Sequence, residues 1–131
     1  MLNMTDHQTL ILLYILFIWI VILHTLEEIA QGMYTIELGP FKPTRNKYLL
    51  AASGITTVNL GTLALIVAGH RYGLYLGLFT TSVIGILQLP AHAIGFMIQG
   101  RKPIRFGAGF YSSIPLAIIG LVLFLKILGS L

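Results

Sequence analysis

The sequence predicts an all-α integral membrane protein, a four-transmembrane-helix antiparallel bundle that residues 1–131 form as a single domain. Two observations support this fold class. The composition is 56% hydrophobic and only 9% charged, whereas soluble domains carry about 25% charged residues. Four apolar stretches are also present, each close to the roughly 20 residues that a helix needs to cross a bilayer. Outer-membrane strands would alternate apolar and polar residues, and these stretches do not.

The predicted spans follow the apolar stretches in chain order. They run from about residue 10 to 31, 48 to 69, 74 to 99 and 107 to 128. The connectors agree with these boundaries, because residues 39–47 are polar with two prolines and residues 101–105 are basic. Residues 70–73 leave room only for a tight hairpin. The first span has no preceding Lys or Arg and ends in two glutamates, so we expect an uncleaved helix rather than a secretory signal.

The basic residues predict the orientation of the bundle. Six of them lie in or beside the connectors that follow spans one and three: Lys42, Arg45, Lys47, Arg101, Lys102 and Arg105. Cytoplasmic loops collect Lys and Arg, so both termini are expected on the non-cytoplasmic side. This distribution explains the formal net charge of +4 without a nucleic-acid partner. The chain has no cysteine, which excludes disulfides and thiolate metal ligands.

Ionisable residues inside apolar helices are the main functional signal. His24, Glu27 and Glu28 lie near the end of span one, where each charged group costs roughly 2.5–3.5 kcal/mol to insert. Together with Gln31 they are spaced i, i+3, i+4 and i+7, which places them on one helical face. His92 lies at a similar distance from the end of span three. All of these side chains are therefore expected in one layer of the inner leaflet.

Polar residues on the other helices are expected at the same depth. Gln88 shares a helical face with His92, and Asn59 lies on span two. Span four supplies hydroxyl groups from residues 111–113, among them Tyr111. We expect Asn59, Gln88 and Tyr111 to bind or orient a cofactor or ligand. Together the four helices would line an inner-leaflet pocket.

Glycines and prolines indicate close packing and bends. Gly73 and Gly77 form a GxxxG row on span three, which allows close approach of another helix and offers a face for a possible homo-oligomer. Pro90 and Pro115 each free a carbonyl one turn earlier and predict kinks at the depth of the polar layer.

Three chemical interpretations of the layer remain open. His24, His92 and one of Glu27 or Glu28, with Glu28 preferred, form a His2Glu set suited to one zinc or iron ion, with a coordination position left open. His24, Glu27, Glu28 and His92 are also candidates for metal-free acid/base catalysis, since adjacent carboxylates resist ionising together and a protonated Glu beside a neutral His forms a proton donor–acceptor pair. The third interpretation is a structural His–Glu network that only joins helices.

The segment HTLEE at residues 24–28, with Asn59 and His92 in the next two spans, resembles the HXXEE-domain family of small bacterial and archaeal integral membrane proteins. The resemblance covers nearly the whole chain. It implies a four-helix bundle, which we expect in a prokaryotic cytoplasmic membrane, with the His and Glu residues as functional positions. It implies no particular activity. The family often has a Tyr-x-Pro-Gly-like segment before the last span, whereas this chain has RFGAG at residues 105–109.

Three functions follow as hypotheses. The first is an enzyme that acts on a membrane lipid, an isoprenoid or another apolar small molecule reaching the pocket laterally. The second is a small proton- or metal-ion-coupled transporter or channel, and the third is a structural membrane subunit. The position of the polar layer in one leaflet favours the enzyme, because transporter sites tend to lie at the membrane midplane.

Overall fold

Helices account for nearly all of the residues that the computed structural model describes, which are residues 4–35, 44–99 and 109–131. The elements are α1 (Met4–Ala30), a 3-10 turn (Met33–Thr35), α2 (Arg45–Val67), α3 (Arg71–Thr80), a π-helical segment (Thr81–Ile86), α4 (Gln88–Gln99) and α5 (Phe110–Leu128). No strand occurs within these ranges. The all-α prediction is confirmed for this part of the chain.

In the described part of the chain, four helical stretches are long and apolar enough to cross a membrane, as predicted, and this suggests an integral membrane protein. They are Met4–Ala30, Arg45–Val67, Arg71–Gly95 and Phe110–Leu128. The first begins six residues before the predicted boundary and the second three residues before it. Most of both polar connectors lies outside the described residues. That part includes Lys42, Arg101, Lys102, Arg105 and the predicted start of span four.

The apolar core lies mainly between α1 and α5. Tyr14 and Phe17 of α1 are fully buried against Leu116 and Leu123 of α5, and Ile66 of α2 completes the cluster. α2 packs on α1 and α3, whereas α5 packs on α1, α3, the π segment and α4. This arrangement leaves many apolar side chains on the outer surface, as expected for helices that face lipid.

The GxxxG row of α3 is used inside the chain. A Cβ atom at Gly73 would lie 2.7 Å from the backbone nitrogen of Ile66, and one at Gly77 would lie 2.8 Å from the side chain of Ile127. Both glycines are buried. The predicted close approach is therefore made by α2 and α5 of the same chain.

The third span changes its packing partner at the π segment. The backbone N–H of Leu87 donates to the carbonyl of Ser82 over 2.9 Å, a bond of the π-helical type. Pro90 then falls in the first turn of α4, where a missing N–H leaves no intrahelical bond unmade. Pro115, by contrast, lies inside α5, which continues through it.

Because of this change, the bundle is open on one side. α3 contacts α2, but among the described residues no Cα atom of α4 comes within 8 Å of a Cα atom of α2. The residues on the inward face of α2 become less buried toward this open end. Asn59 and Ile66 are buried, whereas Ala52 and Thr56, nearer its N-terminus, are only half-buried. The side chains described next lie at this open end.

Close contact at Gly120 gives the first testable prediction. A Cβ atom there would lie 3.0 Å from the Cα atom of Gly85 and 3.1 Å from the carbonyl oxygen of Thr81, both rigid backbone atoms. We expect Gly120→Leu to destabilise the fold by at least about 1–3 kcal/mol, the usual cost of overpacking. Thermal unfolding in detergent measures the change.

The control for this experiment is Gly61→Leu. Gly61 is also a glycine inside a helix, but nothing lies within 4 Å of a Cβ atom built there. We expect its unfolding temperature to stay near that of the wild type. Equal losses in the two variants would show that the contact between α5 and the π segment does not limit stability.

Candidate functional site

Polar side chains from four helices meet at the open end of the bundle. The antiparallel arrangement brings the last turns of α1, the first turn of α2, the middle of α4 and the first turn of α5 to the same level. α1 contributes His24 and Glu28, α2 contributes Tyr48, α4 contributes His92 and α5 contributes Ser112. The predicted meeting of the two histidines with a glutamate is present.

His24, Glu28 and His92 place three possible ligand atoms in a small triangle. The Nε2 atoms of His24 and His92 are 3.3 Å apart. The Oε1 atom of Glu28 lies 3.4 Å from Nε2 of His92 and 3.7 Å from Nε2 of His24. The circle through these three atoms has a radius of about 2.0 Å, which is close to zinc–nitrogen and zinc–oxygen bond lengths of about 2.0–2.2 Å. The group is therefore close enough to hold a metal ion.

The triangle is largely shielded from its surroundings. His24 is 5% exposed and His92 is 6% exposed, and the side chain of Glu28 is 13% exposed. A buried carboxylate needs a compensating positive charge or several hydrogen bonds. The two imidazoles and a bound divalent cation together would meet that need.

Glu28 and His24 also form hydrogen bonds through their atoms that face away from the triangle. The Tyr48 hydroxyl donates to Oε2 of Glu28, so Oε1 is the oxygen that faces the imidazoles. Ser112 Oγ lies 2.9 Å from Nδ1 of His24, which leaves Nε2 facing His92 and Glu28. Metal sites in proteins orient their ligands in this way.

The two adjacent glutamates have different surroundings. Glu27 accepts hydrogen bonds from the Ser112 hydroxyl, from the Ser112 backbone N–H over 3.1 Å and from Nε2 of Gln31 over 3.2 Å. Its carboxylate is thus directed at the start of α5 rather than into the triangle. Of the two carboxylates, Glu28 is the one that offers an oxygen to both imidazoles.

Of the three residues predicted to bind a cofactor, Gln88 lies in the site, whereas Tyr111 and Asn59 do not. Gln88 is half-buried and lies beside the ring of His24. Tyr111 is 73% exposed, with its ring against Phe110, so the neighbouring Ser112 is the residue of that turn that reaches the site.

Asn59 belongs to a second buried group. It accepts a hydrogen bond of 3.2 Å from the Tyr14 hydroxyl, which also lies 2.6 Å from the hydroxyl of Thr80. Asn59 comes 11 residues after Tyr48 along α2, a separation of roughly 16 Å at the rise of an α-helix. The structure therefore does not bring Asn59 to the His24 group.

Sequence reasoning missed Tyr48 and Gly109. Tyr48 stands at the predicted boundary of span two, where a tyrosine is typical of the membrane interface, and only its contact with Glu28 distinguishes it. Gly109 has a left-handed φ of 78°, and a Cβ atom there would lie within 3.0 Å of atoms of His24, Glu28 and His92. A sequence signal at this glycine is its place at the end of RFGAG, where the family that the chain resembles often has a Tyr-x-Pro-Gly-like segment.

Fold and site together define the class of protein. It is a bundle of four helices with the length and apolarity of membrane spans, and it carries a His2Glu group with the spacing of metal ligands at one end. Comparisons of the chain with protein-family models, curated proteins and solved structures find no match.

The position of Gly109 gives the second prediction. Gly109→Ala places a methyl group in a left-handed conformation, at a cost of roughly 1–2 kcal/mol, and also pushes it against the three residues of the triangle. We expect the free energy of unfolding to fall by clearly more than in Gly69→Ala. Gly69 has a similar φ of 69°, but nothing lies within 4 Å of its Cβ position. Equal losses in the two variants, measured by chemical unfolding in detergent, would contradict this prediction.

Proposed function

We propose that the protein is a membrane-embedded metalloenzyme in which His24, Glu28 and His92 bind one divalent ion, zinc or ferrous iron, and in which the substrate is a lipid or an isoprenoid-like molecule. The observation that carries the proposal is the triangle of ligand atoms, whose radius of about 2.0 Å fits bonds to zinc. Neutral imidazole and carboxylate suit either metal. Three protein ligands leave a position for water or substrate, where the ion would act as a Lewis acid or activate water.

The position of the site relative to the basic residues supports an inner-leaflet location. Arg45 and Lys47 lie at the start of α2, within one turn of Tyr48 and hence at the same end of the bundle as the site. Cytoplasmic ends of membrane helices collect such residues. In this orientation the two termini of the chain lie on the opposite side.

The open side of the bundle supports a lipid substrate. α4 separates from α2 at the level of the site, and the inward face of α2 there carries the small, half-buried residues Ala52 and Thr56. Neither residue is charged. An acyl or prenyl chain could lie between α2 and α4 with its polar end at Glu28 and His92, reached directly from the bilayer.

The alternative of a small proton- or metal-ion-coupled transporter has less support. Beyond His24, the interior is filled by tightly buried apolar side chains, including Phe17, Val21 and Leu116. These separate the site from the second polar group around Tyr14 and Asn59. A transport pathway needs polar contacts through this layer.

Metal-free acid/base catalysis and a structural subunit use the same side chains, and metal analysis distinguishes them from the main proposal. Membership of the HXXEE-domain family stays a prediction from the sequence.

Metal content tests the proposal directly. We expect protein purified in detergent, or incubated with zinc or with ferrous iron under reducing conditions, to contain about one metal ion per chain by mass spectrometry of the elements. His92→Ala and Glu28→Gln should lose it, because each removes one of the three proposed ligands. His7→Ala, which deletes a histidine near the start of α1, is the matched control and should keep the metal. Wild-type protein that retains no metal under any of these conditions would refute the metal site.

Lateral access gives a further prediction. Ala52→Trp should fill the space between α2 and α4 and so reduce the amount of lipid retained by the purified protein in native mass spectrometry. Ala64→Trp introduces the same side chain at an exposed position of the same helix and should leave lipid retention unchanged. If both variants retain lipid as the wild type does, the substrate does not approach between α2 and α4.

A further inference from the structure

Ser112 lies between a carboxylate and a histidine and forms hydrogen bonds with both. Its hydroxyl donates to Oε2 of Glu27, and its backbone N–H donates to the same oxygen over 3.1 Å. Nδ1 of His24 lies 2.9 Å from Ser112 Oγ. A serine hydroxyl has one proton but two lone pairs. With the proton directed to Glu27, Oγ accepts a hydrogen bond from Nδ1–H of His24.

Glu27 is held as an acceptor by groups on both of its oxygens. Nε2 of Gln31 donates to Oε1 over 3.2 Å, and the two donors of Ser112 occupy Oε2. The other end of the Gln31 amide accepts the backbone N–H of Gly109 over 3.2 Å. N–H groups of Gln31 and Ser112 donate to the two oxygens of Glu27, and the Ser112 hydroxyl adds a third donor at Oε2. The carbonyl oxygen of Gly109, 3.3 Å from Ser112 Oγ, is a second acceptor for the hydroxyl, and with either acceptor the proton is directed away from Nδ1 of His24.

This chain of hydrogen bonds also joins two helices. Gly109 precedes the first turn of α5 and supplies no side-chain cap, and Ser112 is the third residue of that helix. Glu27 of α1 thus accepts the N–H group that an N-cap side chain normally satisfies, at the end of α5 where a helix favours negative charge. The last turn of α1 is fastened to the start of α5 beside the ligand triangle.

We propose that Ser112 and Glu27 are positioning residues that hold His24 with Nδ1 protonated and with the lone pair of Nε2 directed at the metal position. The inference deepens the proposed function and rests on it for its metal-binding consequence. Metal-bound histidines in proteins commonly donate their second N–H to a carboxylate, carbonyl or water, and removal of that partner typically weakens metal binding 10–100-fold. Here the partner of the histidine is a hydroxyl, and the carboxylate of Glu27 orients it.

The experiment compares Ser112→Ala with Ser113→Ala. Ser112→Ala keeps the backbone N–H that Glu27 accepts and removes only the hydroxyl in contact with His24. Ser113 is the next residue, and its buried hydroxyl donates to the carbonyl of Phe110 in its own helix over 2.6 Å. Ser112→Thr restores a hydroxyl at the same position. Zinc binding is measured by competition with a chelator, and folding is checked by thermal unfolding.

We expect Ser112→Ala to bind zinc about 10–100-fold more weakly than the wild type, with Ser113→Ala unchanged and Ser112→Thr at least partly restored. A merely structural role would shift the unfolding temperature of both alanine variants without this selective loss of zinc. Wild-type zinc affinity in a folded Ser112→Ala variant would overturn the proposal.

A second readout separates this inference from the metal site itself. Imidazole nitrogen NMR on metal-free protein labelled with ¹⁵N-histidine reports which ring nitrogen carries the proton, and His24→Ala identifies the His24 signals. We expect His24 to be protonated at Nδ1 in the wild type and in Ser113→Ala, and to lose that preference in Ser112→Ala. If the wild type binds no metal but shows this pattern, the positioning role stands and the metal proposal fails. If His24 is protonated at Nε2 in the wild type, the positioning role fails.

Discussion

The structure depends on one constraint, the burial of Glu28 in an apolar bundle. A buried carboxylate is stable only where hydrogen-bond donors or positive charge surround it. Its two oxygens face different partners: Tyr48 of α2 holds Oε2, while His24 of α1 and His92 of α4 approach Oε1. Three helices are thus brought into register by a single side chain. A divalent ion bound at this point would make Glu28 a ligand and would offset the cost of burying its carboxylate.

Glu27 shows how an adjacent residue of the same type acquires a different function from its surroundings. One position along the helix turns its carboxylate toward the start of α5, where it accepts the N–H and the hydroxyl of Ser112. The consequence is a division of roles, in which Glu28 faces the candidate metal position and Glu27 fastens the helices that frame it. Ser112 connects the two, because its oxygen also lies against Nδ1 of His24.

The packing of the rest of the bundle explains why the end that carries the site is open on one side. Close contacts at Gly73 and Gly77 hold α3 against α2 and α5, so the opposite end of the molecule is tightly packed. The π segment and the change of partner that follows it then lead α4 away from α2. π-Helical turns within α-helices are frequently found at functional sites. Here the π segment lies between the half of the bundle with close contacts at Gly73 and Gly77 and the half that carries His24, Glu28 and His92.

Much of this protein was determined by the sequence alone. Hydropathy and length predicted the four apolar helices, and helical periodicity placed His24, Glu27 and Glu28 on one face with His92 at a matching depth, because both properties repeat locally along a chain. Tertiary structure alone decided which atoms meet. In the structure, Glu28 rather than Glu27 points into the triangle, and Ser112 rather than Tyr111 reaches the site. Asn59 belongs to a separate group with Tyr14. The tertiary structure also brought in Tyr48 and Gly109. Such choices depend on how helices approach and rotate against one another, and periodicity within a single helix carries no information about that.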